Sequence, residues 1–129
     1  DSSGKLFEIK DANVTEHSLH TEGITAMASD GRHLATSSDD KTIAVWKLPE
    51  LQVEFRSKAH SFLVNGLYLA GDDLWSASSD GSVKRWGWPD LVEKETLDTG
   101  KILRKGKYSC ECVWASADAR QVLVGTWDK

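Results

Sequence analysis

Two stretches of this chain are one stretch written twice. His20-Thr21-Glu22-Gly23-Ile24, Met27, Leu34-Ala35-Thr36-Ser37-Ser38-Asp39-Asp40 and Ile43-Ala44-Val45-Trp46 superimpose without a gap on His60-Ser61-Phe62-Leu63-Val64, Leu67, Leu74-Trp75-Ser76-Ala77-Ser78-Ser79-Asp80 and Val83-Lys84-Arg85-Trp86. The offset is 40 throughout, and both copies run 20 residues from His to Asp and 26 from His to Trp. A period of this length means small units that bury their apolar faces against one another.

The repeat extends both ways. Gly4-Lys5-Leu6-Phe7-Glu8-Ile9 fits the end of an earlier copy, with Ser3 at the Asp40 position and Ile9 at the Trp46 position. Val122-Leu123-Val124-Gly125-Thr126-Trp127-Asp128 fits the middle of a later one, with Asp128 at the Asp position. That last copy carries six extra residues before Val113 and two more before Val122. Within a copy the apolar residues come in short runs of β-formers, such as Ile24-Thr25-Ala26-Met27 and Thr42-Ile43-Ala44-Val45-Trp46. Asp30-Gly31, Asp72-Asp73 and Asp80-Gly81 read as the turns between them, and no window shows a capped helical stripe. The expected fold class is all-β, with four-stranded antiparallel propeller blades of about 40 residues each.

The His near each copy's start (His20, His60), the Asp of the third turn (Asp40, Asp80) and the Trp closing the third strand (Trp46, Trp86) resemble the WD40-repeat family over essentially the whole chain. The usual Gly-His pair reads Leu19-His20 and Ala59-His60, and the usual Trp-Asp pair reads Trp46-Lys47 and Trp86-Gly87. Trp127-Asp128 is a decoy, since by alignment it precedes a third strand instead of closing one. The resemblance implies a structural hydrogen-bonded tetrad of His20, Thr36, Asp40 and Trp46 in one blade, and of His60, Ser76, Asp80 and Trp86 in the next. In such a chain the Asp accepts from turn amides and an imidazole N–H, the imidazole accepts from the hydroxyl, and the hydroxyl accepts the indole N–H. The copy ending at Asp128 has Val124 at the hydroxyl position and no His near Gly106.

A Ser/His/Asp triad is the competing reading of the same residues. It needs an exposed nucleophile beside an oxyanion site, whereas this set recurs once per blade. No catalytic residue, metal site or cofactor is expected. His17 and His20 are spaced for a metal only on a helix, and that segment reads as strand and turn. Cys110 and Cys112, the only cysteines, share a strand face in period two and read as small buried residues. Lys101, Arg104, Lys105 and Lys107, with Tyr108, read as a solvated basic loop in the insertion, or as a contact to an acidic partner. Lys101-Ile102-Leu103-Arg104-Lys105-Gly106-Lys107 lacks the glycine spacing of a phosphate loop. The net charge of −4 disfavours a nucleic-acid partner, and no apolar run reaches the length of a membrane span.

Counted in strands, residues 1–19 supply the third and fourth strands of a first blade, 20–59 and 60–99 a full blade each, and 100–129 the first and second strands of another. Three blades' worth cannot close a propeller. One reading is a segment of a longer propeller whose other blades lie outside these residues. The other joins copies head to tail, with the strand at 122–125 of one pairing with the strand at 5–9 of the next.

The resemblance implies a non-catalytic scaffold for proteins or peptides, intracellular and either cytoplasmic or nuclear. Recognition would use the loops before the first strand and between the second and third. Those loops hold Glu22, Asp39, Phe62, Ser79, Arg104, Lys105 and Trp127, with Phe62 and Trp127 as aromatic anchors. For each anchor, packing against a neighbouring loop is the alternative. A lectin-like or small-ligand propeller, assembled from head-to-tail copies, is the runner-up. It would need the same pocket in every blade, but Glu22 faces Phe62, and Asp39 faces Ser79, at matched positions.

Overall fold

The computed structural model describes residues 4–104 and 108–127. Among them, β1 (Lys5–Lys10) and β2 (Asn13–Ser18) form a hairpin. A four-stranded meander follows: β3 (Ile24–Ser29), β4 (His33–Ser38), β5 (Thr42–Lys47) and β6 (Gln52–Lys58). A second meander contains β7 (Val64–Ala70), β8 (Asp73–Ser78), β9 (Ser82–Gly87) and β10 (Glu93–Asp98), and β11 (Ser109–Ala115) pairs with β12 (Val122–Trp127). All neighbours are antiparallel, so the sheets hold two, four, four and two strands and the array is open.

These are blades stacked side by side, which explains why the middle strands are apolar on both faces. Ile43, Ala44 and Val45 are consecutive and fully buried. Ala44 and Trp46 face the β1–β2 hairpin through Leu19 and Leu6. Ile43 and Val45 face the next blade, in one cluster with Leu74, Val64 and Trp86. One blade on, Trp75, Ala77 and Val83 pack against Cys110, Val113 and Ala115. Covering both faces of a strand is what converts a continuous apolar run into core.

Each innermost strand carries a β-bulge at the matched position: between Ile24 and Ala26, Val64 and Gly66, and Cys110 and Cys112. A bulge re-aims one side chain, and in β3 and β7 the residue between those flanks reaches across a blade boundary. Thr25 Oγ1 donates to Val64 O of the next blade. Asn65 Nδ2 donates to Cys110 O of the blade after, at 3.0 Å. Gly66 lets the strands approach, since a Cβ there would lie 2.9 Å from Glu111 O.

Three local expectations are corrected. Thr99–Leu103 forms a short helix, α1, where no helix was expected, because the Asp98 side chain accepts from Lys101 N and caps it. The turn expected at Asp72-Asp73 lies at Gly71-Asp72: Ala70 pairs with Asp73, which opens β8 and holds Lys94 Nζ at 2.6 Å. Cys112 is exposed while Cys110 is buried, because the bulge between them breaks period two.

Candidate functional site

The meander brings the four repeated residues of each complete blade to one point. The His comes from the segment entering the first strand, the hydroxyl from mid-second strand, the Asp from the following turn and the indole from the third strand. In the blade of β3–β6, His20 Nε2 lies 2.6 Å from Thr36 Oγ1, and Trp46 Nε1 donates to the same oxygen at 2.9 Å. His20 Nδ1 is 2.9 Å from Asp40 Oδ2, which also accepts from Thr21 N at 3.2 Å. Asp40 Oδ1 accepts from Thr42 N at 2.9 Å and Thr42 Oγ1 at 2.6 Å. The blade of β7–β10 repeats this: His60 Nε2 to Ser76 Oγ at 2.7 Å, Trp86 Nε1 to Ser76 Oγ at 2.9 Å, and His60 Nδ1 to Asp80 Oδ2 at 2.9 Å. Ser82 N and Oγ donate to Asp80 Oδ1 at 2.9 and 2.6 Å.

One proton arrangement satisfies every link. Nδ1–H donates to the carboxylate, the hydroxyl donates to Nε2, and the indole donates to the hydroxyl. Thr36 and Ser76 have no exposed surface, so neither oxygen can meet a substrate. Burial opposes protonation of His20 and, although Asp40 pulls the other way, its pKa falls below the ordinary 6.5. Burial also opposes charge on Asp40 and Asp80. The hydrogen bonds from Thr42 and His20 to Asp40, and from His60 and Ser82 to Asp80, outweigh it and hold both carboxyls below the usual range.

Thr42, Ser82 and Arg56 were not singled out from sequence. A hydroxyl two residues after the Asp in both copies was a signal available there. Arg56 has none, because its matched residue is Thr96. Its Nη2 donates to Leu19 O at 2.8 Å and its guanidinium lies 5.4 Å from the Trp46 ring centre. In the other blade the cation over the Trp86 ring is Lys84, which is also paired with Glu93 at 2.9 Å.

The pairings Val64–Ser78 and Ser109–Trp127 put the starts of first strands and the ends of second strands at one end of the blades. Glu22 is exposed there, Phe62 is 46% exposed and Trp127 70%. Asp39 is half-buried, its N–H donating to Gly23 O at 3.0 Å. Ser79 Oγ accepts from Asn65 Nδ2 at 2.7 Å and lies 3.0 Å from Ser109 Oγ, so its hydroxyl is held at a blade boundary. Arg104 is exposed at the C-terminal cap of α1; Lys105 and Lys107 lie outside the described residues. His17 sits on β2 with Nε2 3.9 Å from Glu8 Oε1, while the His20 ring is committed to Thr36 and Asp40. Among the described residues no group of three His, Cys, Asp or Glu is placed to hold a metal ion, and no helix is long and apolar enough to cross a membrane.

Comparison with known proteins gives the same picture. The family model for the WD domain, G-beta repeat, matches residues 12–47. The chain is 38% identical over 110 residues to target of rapamycin complex subunit wat1 of Schizosaccharomyces pombe, covering 82% of this chain and 33% of that protein. It is 29% identical over 117 residues to pre-mRNA-processing factor 19 of Caenorhabditis elegans, covering 81% of this chain and 24% of that one. The chain therefore spans a third or less of these relatives. The WD40 β-propeller domain of Doa1 superimposes with a TM-score of 0.77 at 18% identity, covering 97% of this chain and 44% of that one. The WD40 repeats of RRP9 do so with 0.71 at 22%, covering 98% and 48%.

Proposed function

The chain is a run of WD40-type propeller blades, and on that premise we propose that it is a non-catalytic scaffold that binds a protein or peptide on the loop face of its blades. One observation carries the reading. The residues that look reactive are consumed in buried bonds, while the loop face exposes two large aromatics, Phe62 and Trp127. Exposed aromatics on a loop face are what interface anchors are made of. Charge changes sign across this face: Glu22 and Asp39 lie over the blade of β3–β6, Phe62 over the next, and Arg104 beside the last sheet. A peptide crossing all three would place basic residues over the first and acidic residues beyond the aromatic.

The tetrads of His20, Thr36, Asp40 and Trp46, and of His60, Ser76, Asp80 and Trp86, hold the blades in shape, and the free edges accept further blades, from a longer polypeptide or from another copy. We place the protein inside the cell, cytoplasmic or nuclear. Its relatives are named for pre-mRNA processing and a target of rapamycin complex, and both cysteines are free thiols. Its acidic balance gives no attraction to nucleic acid.

The test is selection of peptides from a random library on the immobilised chain, followed by titration of Phe62→Ala, Trp127→Ala and Glu22→Lys. Loss of tenfold or more in affinity with an unchanged melting temperature supports the loop face. Selected peptides that bind all three variants as well as the parent overturn it.

A further inference from the structure

At the outer rim of the blade of β3–β6, where the end of β2 meets β6, an open cavity of about 420 Å³ lies among Ser18, Thr21, Asp40, Thr42 and Arg56. Its cation is not there to build the tetrad. The residue matched to Arg56 is Thr96, yet the blade of β7–β10 assembles the same polar chain, with His-to-hydroxyl distances of 2.6 and 2.7 Å in the two blades.

Arg56 is held in place but not neutralised. Its Nη2 donates to Leu19 O at 2.8 Å, and its guanidinium lies 5.4 Å from the ring centre of the buried Trp46. Nη1 is 3.4 Å from His20 Nδ1, which carries a proton and cannot accept, and its other neighbour, Thr42 Oγ1, is also at 3.4 Å. Among the described residues no carboxylate comes within ion-pair distance of Arg56. The contrast is Arg85, which lies over Trp75 and has Asp73 and Glu95 at 3.8 Å. A guanidinium fixed on a tryptophan face, with N–H groups left over, is prepared to meet an oxyanion.

The surroundings suit that ligand. Ser18 is exposed and its hydroxyl makes no hydrogen bond among the described residues, while Thr21 Oγ1 has only a 3.5 Å contact to Asp40. Lys58 follows Arg56 by two residues on β6, opposite Thr42, and so shares its face of the sheet. Asp40 borders the cavity, but each of its oxygens already accepts from two groups: His20 and Thr21 N on one, Thr42 N and Oγ1 on the other. Two cations therefore face one carboxylate whose charge is already met by hydrogen bonds.

We infer that this cavity binds the phosphate of a phosphorylated serine or threonine in a partner peptide, with Arg56 as its charged anchor and the Ser18 and Thr21 hydroxyls as further donors. Donors from β2, the following loop and β6 converge from three sides, which fits three phosphate oxygens better than the single edge of a carboxylate. A lone arginine on a chain of net charge −4 suits one phosphate, not a nucleic-acid backbone. Thr21 adjoins Glu22 of the loop face, so a peptide on that face reaches the cavity at its rim, although the site itself needs neither Phe62 nor Trp127.

The test is an NMR titration of the whole chain with N-acetylphosphoserine methylamide, and with its serine and glutamate counterparts. The phosphoserine probe should shift the Arg56 Nε–H and Thr21 N–H signals, the serine probe should not, and the glutamate probe should bind about tenfold more weakly. Arg56→Lys should weaken the phosphoserine probe about tenfold, because an ammonium keeps the charge and loses the fork. Ser18→Ala should weaken it by a smaller factor, and Lys84→Gln, at the paired cation over Trp86, should change nothing. The indole N–H signals of Trp46 and Trp86 report the tetrads; where Arg56→Lys disturbs Trp46, Ser18→Ala at its exposed position decides. Unshifted Arg56 and Thr21 signals, or variants that bind as well as the parent, overturn the site. Equal binding of the glutamate probe overturns phosphate as its ligand, and Arg56-dependent retention on phosphoinositide vesicles but not on phosphoserine peptides overturns the peptide as its source. Failure here leaves the loop-face reading standing, since Phe62→Ala and Trp127→Ala test that reading alone.

Discussion

The blade of β3–β6 and the β11–β12 pair follow one plan, and at the hydroxyl position of the second strand the first has Thr36 where the second has Val124. The hydroxyl is tolerated at zero exposure because an imidazole and an indole both reach it. Where the hydroxyl is gone, an apolar side chain takes its place against Val83 and Leu97. The lesson is that this polar chain stands or falls as a set: three satisfied partners stabilise a blade, whereas one member by itself would be a buried orphan.

The sharpest way to break that comparison is the exchange Thr36→Val against Val124→Thr. Thr36→Val strands His20 Nε2 and Trp46 Nε1 and should cost about 2–4 kcal/mol in urea unfolding. Val124→Thr, at a half-buried site on an open groove, should stay within about 1 kcal/mol. Equal costs would mean that the polar set is incidental.

Acid should separate the two regions next. His20 has a folded pKa below its ordinary 6.5, so the unfolded chain binds the proton more readily and stability falls as pH drops from 6.5 toward the folded value. Asp40 and Asp80 are depressed below the ordinary 3.8, so their contribution, present above 3.8, is lost as pH falls below it. Both effects act in the same direction. Denaturant midpoints followed from pH 7 to 3 should decline in these two windows, and His20→Gln should remove the first.

The cross-blade bonds give a smaller, repeated effect. Thr25→Val and Asn65→Leu should each cost about 1 kcal/mol in thermal unfolding. Glu111→Gln should cost less than either, because Glu111 stands at the matched position but makes no such bond to a following blade; it accepts instead from Ser109 Oγ. The smallest expected change is at the turn after the Asp, where Lys41 has φ 74° and Gly81 has φ 87° at matched positions. Lys41→Gly should stabilise by less than about 1 kcal/mol, and Gly81→Lys should cost about 1 kcal/mol, since a left-handed backbone disfavours a Cβ.

Much of this was legible in the residues. His20 and Asp40 are in different elements, yet a fixed count of residues along a tight meander places them together, and the second copy repeats that count. Thr42 and Ser82 were within reach of the same reasoning. Arg56 was not, since nothing at Thr96 echoes it. Cys112 was misread because a bulge shifts a strand by one residue, which exchanges its faces. A five-residue helix such as α1 is too short to show a period and declares itself only through its cap.

The sequence by itself determined the repeat, the strands and the members of each polar chain, because hairpin turns and alternation are short-range and the two copies check one another. Only the tertiary structure decided what joins blade to blade: Thr25 to Val64 O, Asn65 to Cys110 O, and the groove beside Val124. Those partners lie 39 and 45 residues apart. They meet through bulges whose side chains differ in every copy, so neither periodicity nor spacing could reveal them.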